Sequence, residues 1–162
     1  VILMASGASG TTPDTEEFTR GLTEVCHSLA QQLITDAEGA SHDIAITTIN
    51  AATVADAENA SRAVARSNLF KTAIFGNDPN WGRVLSAVGT TDAAFEPDQI
   101  NVTINGVQVC RGGGIGDPRE NVDLTGRAVS VEIDLAAGTE SATIWTNDLT
   151  TDYVHENSAY SS

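Results

Sequence analysis

The spacing of the apolar residues changes along this chain, and that change limits the folds it can adopt. Between Phe18 and Leu33 they recur at steps of three or four, which is the repeat of one helix face. Between Val129 and Leu135 they alternate with polar residues, as in a strand with one buried face. A chain with both patterns is expected to adopt an α/β or α+β fold with a mixed sheet.

Local signals predict the order of the elements before residue 90. Thr12 and Pro13 favour a helix start, Thr53 and Asn80 are typical helix caps, and Gly39 lies just past the end of the first helix. The predicted elements are a buried strand at 1–6, a helix of about 24 residues from Thr12, a strand at 43–50, a helix from 53 to about 66, a segment at 69–75 that fits a strand or a helix, and a short helix at 81–88.

The part after residue 90 is richer in hairpins. Asn105-Gly106 predicts a hairpin turn, because both residues tolerate the positive φ that a type I′ turn requires. The glycine-rich segment 111–116 is expected to be a flexible surface loop, since it lacks the Lys-Ser/Thr and the helix that follow a phosphate-binding loop. The strand at 129–135 is expected to pair with one at 141–146, and a last helix is expected to begin at 147 or 148.

The charge of the chain excludes several classes of partner. Eight Lys and Arg residues against 22 Asp and Glu residues give a net charge of −14 over 162 residues, a field that repels nucleic acid and anionic membrane surfaces. No apolar run has the roughly 18 residues that a membrane span needs. Cys26 and Cys110 are expected to be reduced thiols of a cytoplasmic protein. The three histidines share no ligand spacing, so no metal site is predicted.

Two groups of side chains have chemistry beyond packing, and each has two interpretations. Asp36 and Glu38 follow the first helix at the negative end of its dipole, so they are either solvated surface charges or are held for a ligand's ammonium group. Arg83 could bind a carboxylate through two parallel hydrogen bonds, or it could be occupied internally by Asp78 or a helix-end carbonyl.

Three segments resemble those of a known family. The segment KTAIFGNDPNWGRVL, from Lys71 to Leu85, closely resembles a signature stretch of the ornithine acetyltransferases, the glutamate N-acetyltransferases of arginine biosynthesis. TDAEGA at 35–40 and ENSAYSS at 156–162 resemble two further segments of that family in the same order. The resemblance covers essentially the whole chain. It implies an α/β (α+β) layered sandwich with mixed sheets and flanking helices, similar to that of the DmpA-type self-processing aminopeptidases.

The resemblance also implies a reaction. Members of the family are made as one precursor that cleaves itself before a Thr, which becomes the nucleophile of the β chain. That Thr takes the acetyl group from N2-acetyl-L-ornithine, forms an acetyl-threonine intermediate and passes the group to L-glutamate. Some members also use acetyl-CoA as a donor. No metal or organic cofactor is implied.

Residues 1–7 resemble a family segment downstream of the cleavage point, and the chain opens on Val rather than Met. The chain is therefore expected to be the C-terminal portion of a β chain, with an α/β part at 1–90 and a hairpin-rich part with a C-terminal tail at 91–162. It is not expected to be an independent enzyme, because the nucleophile would lie upstream of Val1. The implied partners are the α chain of the same precursor and further copies, as an α2β2 heterotetramer in the cytoplasm.

Three positions match substrate-contacting residues of the family. Glu38 would bind the substrate's ammonium group or relay protons, and Asn157 and Ser162 would donate hydrogen bonds to its carboxylate. The segment from Asp78 to Arg83 is expected to be architecture beside the site. Two alternatives remain open: a self-processing aminopeptidase-like hydrolase of the same fold, and a non-catalytic binding or structural fragment.

Overall fold

The computed structural model describes residues 1–159, in which five α-helices and six strands are connected by turns and one short 3-10 helix. These residues divide into two units, 1–36 and the part that begins at Ala37. The helices are α1 (Thr15–Thr35), α2 (Val54–Arg66), α3 (Asn68–Phe75), α4 (Trp81–Val88) and α5 (Thr151–Ser158). The strands are β1 (Asp43–Ala51), β2 (Asn101–Ile104), β3 (Val107–Arg111), β4 (Gly114–Ile115), β5 (Ala128–Asp134) and β6 (Glu140–Asn147).

Helix α1 dominates the first unit. Asp14 caps it by accepting a hydrogen bond from the Glu17 backbone N–H at 2.9 Å, so the helix begins slightly later than the predicted start at Thr12. The predicted apolar stripe is present, but this unit does not bury it. Its members Phe18, Val25, Leu29 and Leu33 are 43% to 75% exposed. The helical pattern was therefore correct, whereas the packing it implied is absent from this unit.

Residues 1–6 do not form the predicted buried strand. The segment is irregular, and its apolar residues from Val1 to Met4 are 62% to 93% exposed. A strand needs a neighbour to pair with its backbone N–H and C=O groups, and the six strands of the sheet pair only with one another. An apolar run alone cannot specify such a neighbour.

The second unit is built on one mixed sheet with the order β4-β3-β2-β5-β1-β6. β1 pairs with β5 in parallel and with β6 in antiparallel fashion. The predicted pairing of β5 with β6 is therefore wrong, because β1 lies between them. Their connection crosses the end of β1, where the Asn50 carbonyl accepts hydrogen bonds from the backbone N–H groups of Ala137 and Gly138 at 2.8 and 2.9 Å.

The core joins this sheet to helices α2, α3 and α4. The alternating residues of β1 and β5 are buried as predicted, with Ile44, Ile46 and Val131 at most 1% exposed. Helix α2 contacts β1 and β6. Its predicted apolar face is also buried, because small side chains such as Ala57 and Ala60 let a helix approach a sheet closely. The α/β class with a mixed sheet and flanking helices is confirmed.

Turn chemistry sets the remaining elements. The ambiguous segment at 69–75 is helix α3, capped by Ser67, and Asn80 caps α4 as predicted. Asn105 and Gly106 have φ of 46° and 82°, which confirms the predicted hairpin turn. Segment 111–116 is not the flexible loop that was expected. Its Gly113 and Gly116 backbone N–H groups donate to Ile100 and Val109, and it contains the short strand β4.

Helix α5 begins at Thr151, later than the predicted start at 147 or 148. Thr150 is its cap and accepts a hydrogen bond from the Tyr153 N–H at 2.9 Å. Asp148 cannot cap a helix here because its carboxylate accepts hydrogen bonds from Ser41 and His42. Among residues 1–159, no helix is both long and apolar enough to cross a membrane.

A buried hydroxyl pair joins the sheet to α2 and can be tested by mutation. Thr48 and Ser61 are fully buried, and their hydroxyl oxygens lie 2.7 Å apart. We expect Thr48→Val to lower the free energy of unfolding by about 1–3 kcal/mol, because it leaves the Ser61 hydroxyl buried without a partner. In the double variant with Ser61→Ala, the free energy of unfolding should fall by much less than the sum of the two single-variant losses. Urea denaturation of the four proteins measures this, and additive losses would contradict the pairing.

Candidate functional site

The loop that carries Glu38 is fixed against the first turn of α5. Gly39 has a φ of +72°, and a Cβ atom at this position would lie 2.5 Å from the backbone nitrogen of Tyr153. The Thr150 hydroxyl donates a hydrogen bond of 2.6 Å to the Gly39 carbonyl. Only glycine allows this close approach. The backbone beside Glu38 therefore has a defined position, although the Glu38 side chain is exposed.

The start of β1 is held by one buried carboxylate. Oδ1 of Asp148 accepts hydrogen bonds from the backbone N–H groups of Ser41 and His42 at 3.0 and 2.9 Å. Oδ2 accepts from the Ser41 hydroxyl and lies 2.9 Å from Nδ1 of His42. The other ring nitrogen of His42 lies 3.0 Å from the Leu124 carbonyl oxygen. Asp148 therefore accepts three hydrogen bonds and makes a fourth polar contact with the His42 ring.

The environment of Asp148 favours its charged form. Burial raises the pKa of this carboxyl group, but the hydrogen bonds from Ser41 and His42 outweigh burial and bring the pKa below its ordinary value. Asp148 is 3% exposed, so its contacts with Ser41 and His42 are made largely out of contact with water.

A small polar cleft of about 110 Å³ lies where these elements meet. Glu38, Lys71, Asp148 and Tyr153 contribute to its lining, together with residues 37, 40, 146 and 147. One cation, Lys71, and two carboxylates, Glu38 and Asp148, converge here, which is a feature of sites that bind polar ligands. A larger cleft of about 920 Å³ lies beside the last turns of α1, but among the described residues Asp36 is the sole charged side chain in its lining. The smaller cleft is therefore the candidate site.

Lys71 enters the cleft from helix α3. Its carbonyl oxygen accepts a hydrogen bond from the Leu149 backbone N–H at 3.4 Å, which ties α3 to the segment after β6. Burial lowers the pKa of the Lys71 ammonium group, and attraction to Asp148 offsets only part of this effect. The charged form of this half-buried ammonium group is therefore stabilised most when an anionic group binds to it.

The predicted site residues are partly brought together. Glu38 lines the cleft. Asn157 lies on α5, one helical turn beyond Tyr153, and its side-chain amide donates to the Tyr153 carbonyl at 2.9 Å. Asn157 therefore lies on the helix that packs against the Glu38 loop, but it does not line the cleft. Ser162 lies outside the described residues.

Arg83 is occupied within the protein. Its guanidinium group donates hydrogen bonds to the Leu69 carbonyl at 2.5 Å and to the Thr72 hydroxyl at 3.4 Å. Asp78 instead faces Arg119 at 3.5 Å. Of the two interpretations of Arg83, the structure favours internal pairing with a helix carbonyl. Its role is to join α4 to α3, the helix that carries Lys71.

Sequence reasoning missed Lys71, Asp148 and the Ser41-His42 pair. Asp148 lies 106 residues from His42 in the chain, and no local pattern links them. Lys71 opens the KTAIFG segment that was noted for its resemblance. The signal that the sequence offered for Lys71 was that it is the single lysine of an acidic chain. Among residues 1–159, no group of three or more His, Cys, Asp or Glu side chains is arranged to hold a metal ion.

Replacing Gly39 should loosen the Glu38 loop. We expect Gly39→Ala to reduce the free energy of unfolding by about 1–3 kcal/mol, because alanine is strained at this φ and its Cβ would collide with α5. Gly126→Ala is the matched control, since nothing lies within 4 Å of a Cβ built there. Amide exchange at Tyr153 should become faster in Gly39→Ala only. Equal stability of the two variants would contradict the close packing.

The Asp148 pairing should give a pH-dependent contribution to stability. A carboxyl group whose pKa is lowered on folding stabilises the protein above its unfolded pKa, and this contribution is lost as the pH falls through the folded value. We expect Asp148→Asn to cost about 2 kcal/mol at neutral pH. The difference from the parent protein should narrow below pH about 4. Urea denaturation across this pH range measures it. Asp92→Asn, at an exposed carboxylate, is the control, and a difference that is independent of pH would contradict the assignment.

Comparison with known proteins agrees with this architecture. The model of the ArgJ family matches residues 1–162. The arginine biosynthesis bifunctional protein ArgJ of Thermobifida fusca is 66% identical over 161 residues, and that of Streptomyces avermitilis is 64% identical over 162 residues. These matches take in 99% and 100% of this chain but 42% of each relative, so the chain spans less than half of their length.

A solved structure shares the fold. The crystal structure of the arginine biosynthesis bifunctional protein ArgJ from Bacillus halodurans superposes with a TM-score of 0.88 at 30% sequence identity. The match covers 98% of this chain and 79% of that chain. The family resemblance drawn from the three sequence segments is thereby confirmed, and this chain belongs to the ArgJ family.

Proposed function

We propose that this chain is the part of an acetyltransferase that helps to form its amino-acid site. The proposed reaction moves an acetyl group from N2-acetyl-L-ornithine to L-glutamate through an acetyl-threonine intermediate. The observation that carries this proposal is the Glu38 carboxylate, which has no partner among residues 1–159 and is held on a fixed backbone at a cleft that also contains a cation. The names of the relatives, which place them in arginine biosynthesis, support the same conclusion.

Each half of the proposed reaction needs a proton to move at a nitrogen atom. When the threonine oxygen attacks the acetyl carbonyl, the bond from the carbonyl carbon to the ornithine nitrogen breaks and that nitrogen gains a proton. In the second half, the glutamate amine loses a proton as it attacks the acetyl-threonine, the bond from the carbonyl carbon to the threonine oxygen breaks, and that oxygen regains its proton. Glu38 is suited to both tasks, because a carboxyl group can donate the proton in one step and accept it in the other. The threonine itself is proposed to lie upstream of Val1.

We also propose that this chain works together with the α chain of the same precursor and with further copies, as an α2β2 heterotetramer. Two observations support additional partners. The chain spans 42% of the relatives named above, and the α1 stripe is exposed in this unit. An apolar stripe of this length along a helix is typical of a surface that is covered in an assembly.

Replacing the Glu38 carboxylate tests the proposal. We expect Glu38→Gln, made in the complete gene product that contains this chain, to lower kcat for acetyl transfer by about 100-fold or more, because an amide cannot carry the proton. Glu96→Gln, at an exposed carboxylate in a turn that does not line the cleft, is the matched control and should leave kcat unchanged.

The assay should follow both acetyl transfer from N2-acetyl-L-ornithine to L-glutamate and cleavage of peptide substrates. Unchanged kinetics of Glu38→Gln would indicate that Glu38 is a solvated surface charge with no role in the reaction. Peptide cleavage without acetyl transfer would instead favour the aminopeptidase-like alternative.

A further inference from the structure

Lys71 is the only lysine in a chain that has 22 acidic residues, and it lines the same cleft as Glu38. Most of the other cations have partners within the chain, as the following arginines show: Arg62 with Glu58, Arg83 with Leu69, Arg111 with Gln108, Arg119 with Asp78 and Arg127 with Asp43. The Lys71 ammonium group, by contrast, has no hydrogen bond or ion pair with any of residues 1–159.

The carboxylate that attracts Lys71 cannot serve as its partner. Asp148 acts on Lys71 through space, but both of its oxygens are already engaged by Ser41 and His42. Glu38 also lines the cleft and has no hydrogen bond or ion pair with residues 1–159. The cleft therefore holds one positive and one negative side chain that are both free to bind a ligand.

The size of the cleft limits what can bind there. The cleft has a volume of about 110 Å³, which suits the charged end of a small molecule. The α-carboxylate and the α-nitrogen of an amino acid are such an end, since the two groups are separated by a single carbon atom. Both proposed substrates share this end, whereas their side chains carry opposite charges.

We propose that Lys71 is a substrate-binding residue that pairs with the α-carboxylate of the amino acid, while Glu38 faces the α-nitrogen. This inference rests on the proposed function, and it adds a charged residue to Asn157 and Ser162 for recognition of the acid group. One pair of side chains would then hold the donor and the acceptor in the same way. The α-nitrogen would lie beside Glu38 in both halves of the reaction.

Removing the carboxylate from the substrate isolates this contact. N-acetylputrescine is N2-acetyl-L-ornithine without its α-carboxylate, so it cannot use Lys71. In the complete gene product, we expect Lys71→Met to raise KM for N2-acetyl-L-ornithine by about 10- to 100-fold, the range of a charge-assisted hydrogen bond. The kcat should change much less. For N-acetylputrescine, kcat/KM should be the same in Lys71→Met and the parent enzyme.

Lys71→Arg is the matched control, because it keeps the charge and should recover part of the lost affinity. Melting temperatures show whether Lys71→Met is folded. If it is not, KM is compared between Lys71→Arg, which keeps the charge, and Lys71→Gln, which removes it. An equal fall in kcat/KM for N2-acetyl-L-ornithine and for N-acetylputrescine would overturn the assignment of Lys71. An unchanged KM for N2-acetyl-L-ornithine would overturn it as well.

The proposed function can fail separately from this inference. A parent enzyme that transfers no acetyl group from N2-acetyl-L-ornithine would refute the function. Lys71 would then be tested by calorimetric binding of L-glutamate and of 4-aminobutyrate, which is glutamate without its α-carboxylate. Weaker binding of L-glutamate alone to Lys71→Met would support the contact, and equal binding of both ligands to parent and variant would overturn it.

Discussion

The carboxylate of Asp148 is the interaction on which the candidate site depends. It joins the residues before β1 to the residues after β6, through hydrogen bonds to the backbone of Ser41 and His42. The Thr150 hydroxyl, which donates to the Gly39 carbonyl, and the close contact of Gly39 with Tyr153 link the Glu38 loop to the start of α5 as well. A buried carboxylate is favourable only when donors surround it. The same bonds that satisfy Asp148 therefore also fix the backbone on either side of the cleft.

The topology of the sheet explains why these segments meet. β1 runs antiparallel to β6, so the start of β1 lies beside the end of β6, and Asp43 is opposite Asn147. The Glu38 loop precedes β1 and helix α5 follows β6, which brings both to the same edge. Helix α3 reaches this edge through the Lys71 carbonyl. Three segments that are far apart in sequence thus each supply one part of the cleft.

Local patterns in the sequence predicted the elements well, whereas they could not predict their pairing. The caps at Thr53 and Asn80, the turn at Asn105-Gly106 and the buried face of α2 are all decided by neighbouring residues, and each was correct. The placement of β1 between β5 and β6 depends on contacts across some 80 to 100 residues, and there the prediction was wrong. The apolar run at 1–6 failed for the same reason, since a strand is defined by its partner. For the site, the resemblance supplied Glu38, but Lys71 and Asp148 became visible only when the fold brought them beside it.

The charges of the cleft also bear on how one site could serve the two proposed substrates. N2-acetyl-L-ornithine carries an ammonium group at the end of its side chain, and L-glutamate carries a carboxylate there. No single charged residue can favour both ends, so the common recognition has to fall on the part that the two molecules share. Within the part of the chain that the structure describes, Lys71 is the sole cation in the lining of the cleft, and it can pair with only one of the two carboxylates of glutamate. If that one is the α-carboxylate, the reacting nitrogen lies beside Glu38 for either substrate. The side chains must then extend out of a cleft of about 110 Å³, where other parts of the enzyme would distinguish them.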